Sequence, residues 1–201
     1  MFNHSFKLQT DYFLELFNDL PRYKHHSQLY GFTNHPVWIL GHLAYSYSLT
    51  NSILTNKKED LRKWKSLFGT GSRPIPIITA YPNTKELVDS FKNQRDELAY
   101  SSRNLTLAHY IKENNAQCYK DSLPTLGDLL SYTMIGHTGY HVGQLVAYRT
   151  IHGLPRIPEK FDVVKTDKTG DSKFECPFCD SKFTKRSAYS KHLKSSHKNG
   201  K

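Results

Sequence analysis

Apolar residues recur at helical spacing in four stretches of the chain, and no stretch alternates convincingly as a half-buried strand would. In the first, Phe13, Leu16, Phe17 and Leu20 fall at i, i+3, i+4 and i+7, which predicts a helix from about Phe6 to Leu20, limited by Pro21. The second runs through PVWILGHLAYSYSLTNSIL to about Leu54, with Asn34 as N-cap and Pro36 in the first turn. Trp38, His42, Tyr45 and Leu49 share one stripe of it. Gly41 costs this helix about 1 kcal/mol relative to alanine, so the close approach of another helix is expected there. The third helix begins at Asn83 or Thr84 and continues to about Asn104, with Leu87, Phe91, Leu98 and Leu105 on its buried stripe. The fourth spans Leu126 to Gly153, with Thr125 as N-cap and Gly153 just past its end.

The fourth helix carries the first chemical signal. His137 and His141 lie four apart, so both imidazoles point the same way, and Leu130, Met134, Leu145 and Tyr148 lie close to that stripe. The face therefore looks inward. A buried imidazole must satisfy two ring nitrogens, and a metal ion is one way to do so.

The connections are less regular. PRYKHHSQLYGFTN is short and polar, and its adjacent His25 and His26 cannot share a helix face; they read as ordinary exposed residues. Residues 56–83 carry charge, then glycines, then three prolines, with no sustained period. A structureless connection of that length is uncommon in a compact domain. Either it crosses the length of a bundle to join two parallel helices, or it covers a site. The connection from Leu105 to Pro124 contains Cys118, which reads as partly buried packing rather than as a nucleophile. Four amphipathic helices within residues 1–158 predict an all-α fold, a four-helix bundle, and such bundles build metal sites from side chains on facing helices.

Composition changes the picture mainly at the C-terminal end. The chain has 201 residues and a formal charge of +10, and residues 180–201 hold seven Lys or Arg against one Asp, so this short end carries +6 of the total. Of three cysteines, Cys176 and Cys179 form a C-x-x-C pair and Cys118 stands alone, an inventory suited to a reducing compartment. The opening MFNHSFKLQT lacks an apolar signal region, and no apolar run approaches the roughly 20 residues that span a bilayer. The expectation is a cytoplasmic protein without membrane contact.

The pairing of NHPVWILGHLA in the second helix with HTGYHVGQLVAYRTIHGLP in the fourth closely resembles the DinB-like superfamily, whose members include thiol-dependent S-transferases, maleylpyruvate isomerase-like enzymes and metal-dependent hydrolases. The matching sets are Trp38, Gly41, His42 and Leu43, and His137, Tyr140, His141, Gly143, Gln144 and Leu145. The resemblance covers about residues 1–158. It implies a divalent metal held by His42, His137 and His141, a crossover at residues 56–83, and a homodimer through the bundle. Three neutral imidazoles make an open site that accepts zinc, nickel or iron and leaves room for water, a small-molecule substrate or a low-molecular-weight thiol. The ion would turn a thiol or water into a nucleophile at neutral pH. Gln144 is either a donor to a metal ligand or an interhelical hydrogen bond. Asp11 and Glu15 read as a solvated face, and no general base or other catalytic residue is identified. His4, His35, His109 and His152 carry no spacing argument, although His152 can complement the dipole at the end of the fourth helix.

Residues 159–173 are polar and aperiodic and read as a linker. Residues 174–198 then fit the spacing of a small ββα C2H2 zinc finger: Cys176, Cys179, His192 and His197 as ligands to a structural zinc, with Phe174, Phe183 and Tyr189 as its core. Tyr189 stands where that core usually has leucine. So small a unit folds only with its metal. By resemblance to DNA-reading fingers, Lys185, Ser187, Ala188 and Lys191 would face nucleic acid. They include no Arg or Asn to read bases, so phosphate contact or protein docking is the expectation. Two functions follow: a metal-dependent transferase or hydrolase with an accessory finger, or a non-enzymatic protein that binds nucleic acid or a protein partner through the finger.

Overall fold

A computed structural model describes residues 2–28, 34–58, 60–75, 77–115 and 119–157, together with 174–175, 179, 181–183, 188, 191–192 and 195. Four long helical segments make up the first of two compact units, Met1–Glu159. Helix α1 spans Asn3–Asn18, a little earlier than its apolar period suggests, and Leu20 stays buried beyond its end. Helix α2 spans Pro36–Thr55 and buries fourteen of its twenty residues, so it is enclosed on nearly every side rather than amphipathic. Its N-cap is His35, not Asn34: Trp38 N–H donates to His35 Nδ1 at 3.0 Å.

The 56–83 connection contains 3-10 turns at Arg62–Trp64 and Ile78–Ala80 and a short helix α3, Lys65–Phe68. It does both things foreseen for it. Leu61 N–H donates to Ser48 Oγ, Phe68 sits against Gly41, and the Tyr81 ring meets His35. The chain therefore travels back along α2 from its C-terminal half to its start, and helix α4, Thr84–Arg103, sets off in the same direction as α2. Asn83 caps α4 by accepting from Glu86 N–H. Leu105 falls beyond the end of α4 but packs against the core.

A short helix α5, Leu107–Tyr110, precedes the fourth segment, which is not one uniform helix. Helix α6, Leu126–Ser131, passes into a π turn over Tyr132–His137 and continues as α7, Thr138–Ile151. Thr138 Oγ1 donates to the Thr133 carbonyl five residues earlier at 2.9 Å, filling a bond that the wide turn leaves open. Tyr47 on α2 hydrogen-bonds Thr138 Oγ1 at 2.9 Å and fixes the turn from across the bundle.

Among the long segments, α2 packs mainly against α4 and the α6–α7 segment, and α1 against the same two, so the consecutive pair α1 and α2 stand across the bundle from each other. Aromatic rings meet in the middle: Phe6 of α1 lies edge-on to Tyr47 of α2 at 5.1 Å, and Phe13 of α1 stacks on Phe91 of α4 at 5.4 Å. Arg149 on α7, almost fully buried, donates to the Leu16 and Pro155 carbonyls and to Asp19, joining the end of α1 to the exit from α7. Among the described residues, no helix is long and apolar enough to cross a membrane.

The second unit is Lys160–Lys201. Its described part includes two short strands, β1 (Phe174–Glu175) and β2 (Lys182–Phe183), paired antiparallel with Phe174 opposite Phe183. The linker reading of 159–173, Cys118 and Tyr189 lie outside the described residues.

Candidate metal centre

His42 comes from the middle of α2, His137 ends the π turn and His141 lies in the first turn of α7. Their Nε2 atoms converge. His137 Nε2 is 3.0 Å from His42 Nε2 and 3.1 Å from His141 Nε2, and the three imidazoles form a cluster that could hold a metal ion. His42 and His141 are only 6% and 3% exposed, whereas His137 is half-buried and marks the open side.

The tautomers follow from the remaining ring nitrogens. His42 Nδ1–H donates to the Phe68 carbonyl at 2.6 Å, and His141 Nδ1–H donates to Gln144 Oε1 at 2.9 Å. In each neutral ring the proton sits on Nδ1, so both Nε2 atoms present lone pairs to His137. An N–H on His137 could satisfy one of them and would leave the other facing bare nitrogen. The donor set fits a divalent ion, which accepts all three lone pairs at once. Gln144 touches a candidate ligand, as one of the two roles foreseen for it requires, but as an acceptor rather than a donor, and the bond lies within its own helix rather than between helices.

Burial keeps the imidazoles neutral. It pushes His42 below the ordinary histidine range, against the opposing pull of the Phe68 carbonyl. His137 is pushed down to about 4 by burial and then by His42. His141 is pushed down to about 2 by burial and by its two neighbours, with Gln144 opposing. Neutral imidazoles are the form that binds metal.

Aromatic side chains hold the rings in place. Trp38 stacks on His42 at 4.6 Å and 10°, and its indole N–H donates to Ser72 Oγ, which donates in turn to the Leu67 carbonyl. Tyr140 meets His141 edge-on at 5.0 Å, and Tyr132 stacks on His137 at 5.4 Å. The Gly41 vacancy is filled by Phe68: a Cβ there would lie 2.3 Å from Phe68 Cε1. The expected close approach is real, and it comes from the short helix in the connection rather than from a long one. Trp38 stands beside His42 in the motif set, whereas Phe68, Thr138 and Tyr132 escaped the sequence reading as parts of this site. Gly41 within a helix was the one signal that pointed toward Phe68.

A narrow cavity opens beside His137, lined also by Tyr45, Leu49, Thr50, Tyr119, Tyr132 and Thr133. A larger one lies between the end of α2 and the connection after α4, and it contains none of the three histidines.

Other histidines depart from expectation. His25 is buried against Phe17 at 4.5 Å and contacts the Leu20 carbonyl, and His26 is half-buried, so neither is an ordinary surface residue. His35 is buried as the α2 cap, and His109 completes a capping box with Thr106. His152 pairs with Lys24 Nζ at 2.7 Å. Asp11 is exposed and paired with Lys7 and Arg95, as a solvated face would be, while Glu15 is half-buried.

In the second unit, Cys179 Sγ lies 3.4 Å from His192 Nε2. Cys176, His197, Lys185 and Ser187 lie outside the described residues, while Ala188 and Lys191 are helical and exposed.

The family model of the DinB superfamily matches residues 5–145, the greater part of the chain and the whole of the histidine cluster. No protein of curated function matches the chain significantly.

Proposed function

The chain belongs to the DinB superfamily, and from that premise we propose that it is a metal-dependent enzyme of the thiol S-transferase or hydrolase type, acting on a small-molecule substrate. His42, His137 and His141 would hold a divalent zinc, nickel or iron ion. The observation that carries this reading is the convergence of three Nε2 atoms while Phe68 and Gln144 occupy the Nδ1 positions behind two of them. When bound, such an ion lowers the pKa of a coordinated water toward about 7 and holds a thiol as its thiolate, either of which supplies a nucleophile. The protein's own groups do the positioning. The Phe68 carbonyl and Gln144 fix two imidazoles, Trp38 covers one face of His42, and burial keeps solvent from His42 and His141. Substrate and any low-molecular-weight thiol would enter from the side of His137, and a second copy of the bundle completes the assembly as a homodimer.

A second reading concerns the C-terminal unit. Cys179 beside His192, with Phe174 opposite Phe183, supports a structural zinc held by Cys176, Cys179, His192 and His197. The exposed Ala188 and Lys191 would lie on its contact face, with Lys185 and Ser187, toward phosphate or a protein partner. In that case the bundle could serve as scaffold and the finger as the functional contact.

Metal counting on purified full-length protein separates the two. About two ions per chain are expected, with one lost in His137→Ala and a different one lost in Cys176→Ser. An unchanged count in His137→Ala defeats the bundle site.

A further inference from the structure

We infer that Tyr132 determines which substrates reach the metal, by giving the open side of the site an aromatic, uncharged mouth that favours a slim planar group beyond the coordinating atom. The inference rests on the metal reading of the three histidines and adds the chemistry of what approaches them.

The π turn is the main support. Tyr132 and His137 are its first and last residues, five apart. On an α-helix, five residues place two side chains about 140° apart around the axis, where their rings cannot meet. In the wider π turn they come back into line, and the rings stack at 5.4 Å and 23°. Short π segments inside α-helices are uncommon and concentrate at functional sites. This one is fastened by Thr138 to the Thr133 carbonyl and by Tyr47 to Thr138, so the stack is held by named bonds on both sides.

The cavity supplies the second observation. Of the three histidines only His137 reaches it, and Tyr132 lines it together with Tyr45, Leu49, Tyr119 and Thr133. Among the described lining residues there is no carboxylate, amine or guanidinium. A ligand atom can be anionic, because the ion compensates it. A second charge further out would meet only neutral hydroxyls (Ser46, Thr50, Thr70), phenol rings and aliphatic carbon, with no countercharge among them to offset its desolvation. The cavity itself, about 20 Å³, holds no ring, so a planar group would lie at its mouth beside Tyr132, which is 44% exposed, and gain aromatic contact there.

The test is calorimetric titration of zinc-loaded full-length protein with imidazole, 4-phenylimidazole and the para-carboxylate of 4-phenylimidazole, which present one coordinating ring with different groups behind it. 4-Phenylimidazole should bind about 10-fold tighter than imidazole, and the para-carboxylate should lose that gain. Tyr132→Phe should keep the preference, and Tyr132→Ala should abolish it while zinc content stays the same. Equal binding of the two phenyl probes, or an unchanged preference in Tyr132→Ala, overturns the role of Tyr132. If His137→Ala binds all three probes as the parent does, the metal reading itself fails, and the inference with it.

Discussion

His42 and Phe68 are joined by a 2.6 Å hydrogen bond from the imidazole Nδ1–H to the main-chain carbonyl, and the Phe68 ring occupies the space that Gly41 leaves. One short helix in an otherwise irregular connection thus sets the tautomer of one candidate metal ligand and is itself seated by the residue before that ligand. Gly41→Ala tests the coupling. On helix propensity alone alanine would stabilise α2 by about 1 kcal/mol. The new Cβ, however, would meet three Phe68 ring atoms at 2.3–2.6 Å, and overpacking of a buried aromatic costs about 1–3 kcal/mol. The clash wins. Gly41→Ala should lower the urea midpoint and, by displacing the Phe68 carbonyl, weaken metal binding about 10-fold in a chelator competition. Unchanged affinity would mean that the Phe68 bond does not tune the site.

Gln144 plays the matching part for His141. Gln144→Leu would leave Nδ1–H of a ring only 3% exposed without its acceptor, so metal affinity should fall about 10- to 100-fold. Gln144→Glu keeps an acceptor oxygen at the same place and should retain most of the affinity. A merely helical role for Gln144 predicts the opposite pattern, in which neither variant moves the metal dissociation constant.

The sequence made His137 and His141 visible because their relation is local: four residues on one helix suffice to pair them. His42, 95 residues away from His137 in the chain, joined them only through family resemblance. Phe68 was invisible for a different reason. Its contribution is a backbone carbonyl, which no side-chain identity announces, and it lies in an aperiodic segment. The π turn was hidden too, because nothing in YTMIGH sets it apart from an ordinary helical stretch and the bonds that hold it, the local one from Thr138 to Thr133 and the tertiary one with Tyr47, are not announced by periodicity. His25 reads as a surface residue because polar neighbours surround it in sequence and His35 offers no spacing to argue from, yet packing against Phe17 and Tyr81 buries them.

His35 gives the fold a pH dependence of definite sign. Burial, aided by His26, pushes it down to about 4, while an unfolded histidine titrates near 6.5. Between these values the unfolded chain binds the extra proton and the folded chain does not, so stability falls as pH drops from about 6.5 to 4 and is complete above 6.5. The structural reason is the cap: protonated His35 could no longer accept from Trp38 N–H. The buried metal ligands titrate with the same sign, so the comparison that isolates His35 is with His35→Asn, which keeps a capping acceptor without a titratable ring. Urea midpoints at pH 7.5 and 4.5 should fall further in the parent than in His35→Asn, by on the order of 2 kcal/mol. Parallel losses in the two proteins would assign the acid sensitivity elsewhere.

The C-terminal unit makes the last prediction. A sulfur 3.4 Å from an imidazole Nε2, beside a hairpin that sets two phenylalanines opposite each other, is the arrangement expected of one half of a four-ligand zinc site. On the proposed zinc-finger reading, a unit this small would lack the buried surface to fold without an ion, whereas the bundle has a core of its own. Removing one ligand should therefore unfold the tail and spare the rest. Cys179→Ser should lose one metal per chain and collapse the amide resonances of residues 174–198 toward unfolded positions. The main thermal transition, which reports the bundle, should stay within about 2 °C of the parent. A fall well beyond that would show that the tail contributes to bundle stability, and retention of the metal would remove Cys179 from the ligand set.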